Sequence, residues 1–170
     1  MSKKRFRANV AAVIVDTKNK KVLMFKRLAK KNKDSKLLSD GGQLRWHWQF
    51  PQGGVNFGET EEETLLRELE EEIGTRNVTI INISKKRTRY HYPLKMLKVL
   101  HENSEWKPFC GQQQRWFLLN LNCDTKHITF KHQPIEFEEF KWFSPRKGLQ
   151  NVVPWKRKAY RKGLRSLGII

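Results

Sequence analysis

Short apolar runs separated by polar turns predict a strand-rich first half of the chain. Residues 10–15 are continuously apolar, and a run of this length is typical of a buried strand. A second run covers residues 21–26, and the polar segment between them, residues 16–20, has the composition of a turn. The pattern therefore predicts that the two runs pair as a hairpin.

The same pattern continues in the second half of the chain, where it predicts strands at residues 78–84, 115–121 and 137–143. The segment 89–99 has no clear period, and Pro93 interrupts any long element there. Residues 29–44 are rich in Lys, Asn, Ser, Asp and Gly, which predicts a loop. We interpret this loop as a basic insertion, either a lip over a substrate groove or, as we prefer, tolerated extra length.

Helical periodicity is found in two segments. Residues 61–73 carry an apolar stripe made of Leu65, Leu66, Leu69 and Ile73. Thr60 and Glu63 have the spacing of a capping box, and Gly74 suits the positive φ angle that often ends a helix. A second helix is predicted from Pro154, with a core-facing set made of Tyr160, Leu164 and Leu167. At 170 residues, one domain spanning residues 1–170 is expected.

The charge balance favours a polyanionic partner. The chain holds 35 Lys and Arg against 17 Asp and Glu, a net charge of +18, which favours RNA first and a membrane surface second. The alternative is that this composition reflects general solubility or genomic bias. Cys110 and Cys123 lack metal-ligand spacing and suit a reducing cytosol. No run approaches transmembrane length, so we expect a cytoplasmic protein without stable membrane association.

Acidic residues are concentrated in one segment of this basic chain. Eight of the 17 lie between Glu59 and Glu72, whereas the remainder of the chain holds 34 Lys and Arg against 9 Asp and Glu. At about 100° per residue, the predicted helix places together on one side of its apolar stripe Glu68, Glu71 and Glu72. Their mutual repulsion is unfavourable, and a divalent cation such as Mg²⁺ would remove it. The alternative is a solvated acidic helix face.

The same segment resembles the Nudix box. Within residues 53–75 the matching positions are Gly53, Glu59, Arg67-Glu68-Leu69, Glu71-Glu72 and Gly74. Thr75 stands where the box normally ends in an aliphatic residue, a departure at a packing position that leaves the acidic residues unchanged. Other motifs resemble those of the bacterial RNA pyrophosphohydrolases, close relatives of dinucleoside polyphosphate hydrolases, and lie at residues 48–55, 89–90, 111–119, 136–137, 152–153 and 156–157.

The resemblance implies an α/β fold in which a mixed β-sheet is sandwiched between helices and the box forms a catalytic loop–helix–loop. It also implies phosphoanhydride hydrolysis with a divalent cation, most readily Mg²⁺ and otherwise Mn²⁺. The expected metal site comprises Glu68, Glu71, Glu72, Glu136 and Gly53, whose backbone should line it. The expected catalytic residues are Arg67, Glu68, Glu71 and Glu72; Glu68 is our first choice for general base, and Arg67 is expected to pair with a neighbouring carboxylate. Without the resemblance, Glu136 would be interpreted as a surface acid.

The resemblance also implies which residues bind substrate. Arg7 and Arg27 are similar to positions that hold 5′-phosphates, and the region that cradles the first bases matches Val153, Trp155 and Lys156. Trp155 would either stack on a base or be a core aromatic at the start of the last helix, and the sequence favours neither.

The expected function is removal of pyrophosphate from 5′-triphosphorylated RNA, which leaves a 5′-monophosphate and promotes mRNA decay. The excess positive charge fits a long polyanion better than a small nucleotide. The same catalytic residues would also serve hydrolysis of free dinucleoside polyphosphates, which is the second hypothesis. A third, a non-catalytic Nudix-fold RNA-binding module, is disfavoured because all four expected carboxylates are present.

Overall fold

A computed structural model of the chain describes residues 5–28 and 47–170. Within them eight strands are present: β1 (Arg5–Asp16), β2 (Lys21–Arg27), β3 (Trp48–Gln49), β4 (Gln52–Gly54), β5 (Val78–Ile83), β6 (Thr88–His91), β7 (Phe109–Leu121) and β8 (Phe137–Phe143). The same ranges contain four α-helices: α1 (Glu61–Ile73), α2 (Leu94–Leu100), α3 (Pro145–Gln150) and α4 (Pro154–Ser166). The predicted insertion at residues 29–44 lies outside the described residues.

The strands form one mixed sheet organised around β1. Along the sheet the order is β3-β2-β1-β7-β5, and β4, β6 and β8 pair with β1, β7 and β2 respectively. β1 runs parallel to β7, from Arg5 opposite Phe109 to Ile14 opposite Leu119, and antiparallel to β2 and β4. The predicted α/β fold with a mixed sheet is therefore confirmed.

Helices cover both faces of this sheet, and β1 contributes alternate residues to each side. Ala11 and Val13 belong to the cluster that packs against α3 and α4, together with Trp116, Leu149, Tyr160 and Leu164. Val10, Ala12 and Ile14 belong to the cluster that packs against α1, together with Leu65, Leu69 and Ile73. Burial on both faces explains why the run at residues 10–15 is continuously apolar instead of alternating.

The predicted elements are found, with differences in length. The predicted bounds of α1 and β8 agree with the structure, and β2 ends one residue later than predicted. β1 and β7 begin earlier than predicted because their first segments, Arg5–Asn9 and Phe109–Gln114, pair with one another in parallel. The ambiguous segment 89–99 contains the end of β6 and most of α2, with Pro93 as the N-cap of the helix.

In the two described ranges, no helix combines the length and apolar character needed to cross a membrane.

The close contact between α4 and the sheet generates a first prediction. A Cβ atom at Gly163 would lie 2.3 Å from two ring carbons of Trp116, which is fully buried and donates its indole N–H to Thr88. Gly163→Ala should lower the free energy of unfolding by about 1–3 kcal/mol, because a rigid ring cannot move aside. Urea unfolding followed by circular dichroism measures this change.

Gly148→Ala is the matched control, since its Cβ would meet the flexible end of Met24, with Sδ at 2.6 Å. Both substitutions replace Gly by Ala within a helix and therefore gain similar helix propensity. The control should leave the free energy of unfolding nearly unchanged. Equal stability of the two variants would contradict this account of the interface.

Candidate active site

Helix α1 is fixed at both ends by local hydrogen bonds. Glu63 donates its backbone N–H to Thr60 Oγ1 at 3.1 Å, and Thr60 donates its own backbone N–H to the Glu63 carboxylate at 2.8 Å. At the other end Gly74 has φ 73° and donates its N–H to the carbonyl of Glu70 at 3.0 Å. These are the predicted capping box and left-handed glycine cap, and they fix the residues at which the helix begins and ends.

A cavity of about 480 Å³ lies beside α1 and is lined by both acidic and basic side chains. Its acidic members are Glu68, Glu71 and Glu136. Its cationic members are Arg7, Arg27, Arg67 and Lys156. Carboxylates and cations drawn from β1, β2, α1, α4 and the segment before β8 therefore meet in one place. Such a cavity suits a phosphate-bearing ligand together with a metal ion.

Two glycines of β4 make room for two side chains that line the cavity. A Cβ atom at Gly53 would lie 1.7 Å from Cδ of Glu68, so the Glu68 carboxylate packs directly on the Gly53 backbone. A Cβ atom at Gly54 would lie 2.3 Å from Cζ of Arg7. Any larger residue at either position would displace the side chain that faces it.

Arg67 ties the acidic side chains of α1 to the Gly-rich loop. Its Nη1 donates to Glu68 Oε1 at 2.7 Å and to Glu71 Oε2 at 3.2 Å, and its Nη2 donates to the carbonyl of Gly54 at 3.1 Å. Its Nε donates to Glu59 Oε1 at 2.6 Å. The Arg67 hydrogen bond holds the pKa of Glu59 at about 2, despite some opposing desolvation. The predicted pairing of Arg67 with a neighbouring carboxylate is present in this geometry.

Glu72 lies beneath the cavity and is not part of its lining. It is 5% exposed, and its Oε2 accepts a hydrogen bond from the backbone N–H of Gln52 at 3.0 Å. Burial, followed by repulsion from Glu136 and Glu68, raises the pKa of Glu72 well above its ordinary value. Burial likewise raises the pKa of Glu68. Ionising both carboxylates here is unfavourable unless a cation is bound beside them.

The donors available here fit a hard divalent cation. Glu68, Glu71, Glu72 and Glu136 offer only oxygen atoms, which Mg²⁺ and Mn²⁺ prefer. Across residues 5–28 and 47–170, however, no three His, Cys, Asp or Glu side chains are grouped as ligands of a single ion. Nη1 of Arg67 bonds to both Glu68 and Glu71, so an ion would compete with Arg67 for these two carboxylates.

The predicted substrate residues divide between this cavity and a smaller one of about 30 Å³. Arg27, Trp155 and Lys156 line both cavities, whereas Val153 lines only the smaller. Trp155 also packs against the Tyr90–Tyr92 cluster, and its buried indole N–H has no hydrogen-bond partner among the described residues. Burial, reinforced by Arg27, lowers the pKa of Lys156 to about 7.

Several residues of the cavity were not identified from the sequence. The Arg7 guanidinium lies 4.5 Å from the ring centroid of Trp106, and Trp106 lines the cavity together with Met96 and Leu100. No spacing in the sequence links residues 7 and 106. The signal that was missed is Trp106 itself, an aromatic residue within a polar segment. Gln112, Gln113 and Gln114 all lie within β7, and Gln112 lines the cavity.

A polar network forms around Gln52 at the base of the cavity. Gln52 Oε1 accepts from the Tyr160 hydroxyl at 2.7 Å and from Gln114 Nε2 at 3.3 Å. Gln52 Nε2 donates to Gln112 Oε1 at 3.3 Å, and Gln112 Oε1 also accepts from the Tyr90 hydroxyl. Because the Gln52 backbone N–H bonds to Glu72, this network fixes the strand that faces the acidic helix.

Comparison with related proteins identifies the family to which the chain belongs. A protein of Acinetobacter baylyi named RNA pyrophosphohydrolase is 42% identical over 142 residues, covering 77% of this chain and 82% of that protein. One of the same name from Mannheimia succiniciproducens is 40% identical over 135 residues, covering 73% of this chain and 66% of that protein. The NUDIX domain model matches residues 5–163. The chain belongs to the Nudix hydrolase family. Nudix hydrolases generally use divalent metal cations.

Solved structures with low sequence identity share the fold. The Escherichia coli dihydroneopterin triphosphate pyrophosphohydrolase superposes with a TM-score of 0.63 at 21% identity, covering 94% of this chain and 97% of that chain. A Caenorhabditis elegans Ap4A hydrolase superposes with a TM-score of 0.59 at 18% identity, covering 96% and 99% of the two chains. At these identities the superpositions establish the Nudix fold and nothing about substrate.

The Glu59–Arg67 pair predicts a pH-dependent contribution to stability. The folded pKa of Glu59, about 2, lies below its ordinary value of 4.5, so the stabilisation is complete above about pH 4.5 and is lost as the pH falls towards 2. Glu59→Gln should therefore lower the unfolding free energy by about 1–2 kcal/mol at pH 7. Unfolding curves of both proteins across this pH range should converge at low pH; a difference that is constant with pH would contradict the assignment.

The glycines of β4 predict two different kinetic defects. Gly53→Ala displaces the Glu68 carboxylate and should lower kcat for phosphoanhydride hydrolysis roughly 100-fold, because a displacement of about 1 Å has effects of this size. Gly54→Ala displaces Arg7 and should mainly raise KM. Steady-state kinetics with Mg²⁺ separates the two effects. The account would be wrong if the two variants showed the same defect while both remained folded by circular dichroism.

Proposed function

We propose that this Nudix hydrolase is an RNA 5′-pyrophosphohydrolase that converts 5′-triphosphorylated RNA into 5′-monophosphorylated RNA and pyrophosphate. The observation that carries the proposal is the cavity that brings Glu68, Glu71 and Glu136 together with cations and two tryptophans. The relatives named RNA pyrophosphohydrolase, at about 40% identity over most of the chain, support the same substrate. We place the reaction in the cytoplasm, where it would promote mRNA decay.

The proposed metal ligands are Glu68, Glu71, Glu72 and Glu136, with the Gly53 backbone lining the site. A divalent cation bound to them supplies charge neutralisation and lowers the pKa of a coordinated water. Arg67 is a positioning residue, since it bonds to Glu68 and Glu71 and is itself anchored by Glu59. Glu68 is the proposed acceptor of the water proton, because it lines the cavity and packs on Gly53.

Arg7, Arg27 and Lys156 are the proposed partners of the phosphate chain. Arg7 is held between Gly54 and the ring of Trp106, which orients its guanidinium along the cavity wall. Lys156 Nζ donates to Gln49 Oε1 at 3.3 Å, and its buried position disfavours the ammonium form when no anion is present. An anionic phosphate would favour that ammonium form, so phosphate binding and protonation of Lys156 support one another.

Trp155 and Val153 are the proposed neighbours of the first bases. Trp155 lines both cavities, and base stacking on an indole contributes roughly 1–3 kcal/mol to nucleic-acid binding. The net charge of +18 favours a long polyanion, for which binding weakens steeply with salt. These features favour RNA over a free nucleotide.

Dinucleoside polyphosphates are the second candidate substrate class. One observation favours them: Trp106 and Trp155 line the same cavity, so two indoles are available for two bases. The carboxylates would act in the same way on either substrate.

Competition between the two substrates tests the proposal. Triphosphorylated RNA of about 20 nucleotides and diadenosine tetraphosphate are mixed at equal concentration, with Mg²⁺ and physiological salt, and the products are resolved by chromatography. We expect RNA to be consumed at least tenfold faster, with pyrophosphate and 5′-monophosphorylated RNA as products. Glu71→Gln, the matched control, should lower hydrolysis of both substrates.

A preference of more than tenfold for the dinucleotide would replace the proposal with the second candidate. Unchanged hydrolysis of both substrates by Glu71→Gln would contradict the proposed role of the α1 carboxylates.

A further inference from the structure

A second basic cavity, of about 330 Å³, lies between α3 and α4, and its lining is separate from that of the active site. Its lining comprises Arg146, Leu149, Gln150, Arg157, Arg161, Arg165 and Ile170. Four of these seven residues are arginines, and no acidic residue lines the cavity within the described parts of the chain. We call it the arginine groove.

The sequence of α4 is strongly basic. Arg157, Arg161 and Arg165 are spaced four residues apart, so they follow one face of the helix at a rise of about 6 Å each. The helix also carries Lys156, Lys158 and Lys162 and has no Asp or Glu. Cations at the helix N-terminus oppose the macrodipole, and like charges at this spacing repel. An external anion would relieve both effects.

The four arginine side chains of the groove differ in their exposure and in the contacts that they already make. Arg146, Arg161 and Arg165 are exposed, and none forms an ion pair with a carboxylate in residues 5–28 or 47–170. Arg157 is partly buried and donates to the backbone carbonyls of Val152 at 2.7 Å and Gln150 at 2.9 Å. Arg157 therefore shapes the groove, while the other three present their charges to solvent.

Consecutive residues near the start of α4 line the active-site cavities and the arginine groove. Lys156 lines both active-site cavities, and the next residue, Arg157, lines the groove. The short segment between α3 and α4 separates them, with Val152 and Val153 on the active-site side and Gln150 on the groove side. A strand whose first bases occupy the active site would thus meet α4 as it leaves.

We propose that the arginine groove binds the phosphates of an RNA strand downstream of the 5′ end held in the active site. This inference rests on the proposed function and extends it from the 5′ end to the body of the transcript. Arginine suits phosphate oxygens because its planar guanidinium donates two parallel hydrogen bonds. The groove makes contacts that do not depend on base sequence, as expected for an enzyme that acts on many transcripts.

RNA binding without catalysis tests the groove directly. The probe is an unstructured 20-nucleotide RNA with a 5′-hydroxyl, and its affinity is measured by fluorescence anisotropy at several salt concentrations. The double variant Arg161→Gln with Arg165→Gln should bind roughly three- to tenfold more weakly. The slope of log affinity against log salt should decrease by about 1.4, since each phosphate contact on a single strand contributes about 0.7.

The matched control removes the same charge elsewhere. Lys85 and Lys86 are exposed and line neither active-site cavity nor the arginine groove. The double variant Lys85→Gln with Lys86→Gln should bind the probe as the wild-type protein does.

Cleavage assays with two substrate lengths complete the test. For the groove variant, kcat/KM should fall three- to tenfold on a triphosphorylated 20-nucleotide RNA and stay within twofold of wild type on a triphosphorylated dinucleotide, which is too short to follow α4. Equal losses of kcat/KM on both RNA lengths would overturn the inference, and so would an unchanged salt dependence of probe binding. The second result would indicate instead that the groove binds an acidic protein. If wild-type protein cleaves no triphosphorylated RNA, the proposed function fails, while probe binding still decides the inference.

Discussion

Carboxylates of α1 are held against the backbone of β4, and the active site depends on this contact. Glu72 is buried where it accepts the N–H of Gln52, and Glu68 packs on Gly53 with no room for a Cβ atom between them. Burial raises the pKa of both side chains and repulsion from Glu136 adds to each shift, so the ionised pair is unfavourable by itself. A divalent cation would stabilise this arrangement, and Arg67 partly compensates through its bonds to Glu68 and Glu71.

The sheet brings the other participants to this place. Because β1 pairs with β4 on one side and β7 on the other, Arg7 lies over Gly54 while the glutamines of β7 bond to Gln52 beneath the cavity. The packing of α4 on the opposite face from α1 carries Lys156 to the cavity and leaves the arginines of the same helix outside it. One helix thus contributes both Lys156, a proposed partner of the phosphate chain, and the proposed binding surface for the RNA body.

The parts of this site that the sequence predicts are those fixed by local chemistry. The bounds of α1 follow from the capping box and from Gly74, and the helical period places Glu68, Glu71 and Glu72 on one side. The different environments of Glu71 and Glu72 cannot be predicted from the sequence. Only the packing of α1 on β4 determines that Glu72 is buried and that Glu71 faces the cavity. The contact of Arg7 with Trp106 joins residues 99 positions apart, and no local pattern encodes it.

The most direct test of the central claim measures cation binding without catalysis. The unfolding temperature is recorded at pH 7.5 for the wild-type protein and for Glu72→Gln, each with EDTA and with increasing Mg²⁺. A ligand that binds only the folded state stabilises it by RT ln(1 + [L]/Kd), so the unfolding temperature rises with the logarithm of ligand concentration above Kd. We predict that the unfolding temperature of the wild-type protein rises with the logarithm of Mg²⁺ concentration and that Glu72→Gln shows little or no rise. In EDTA, Glu72→Gln should be at least as stable as the wild-type protein. An equal rise in both proteins would contradict the account.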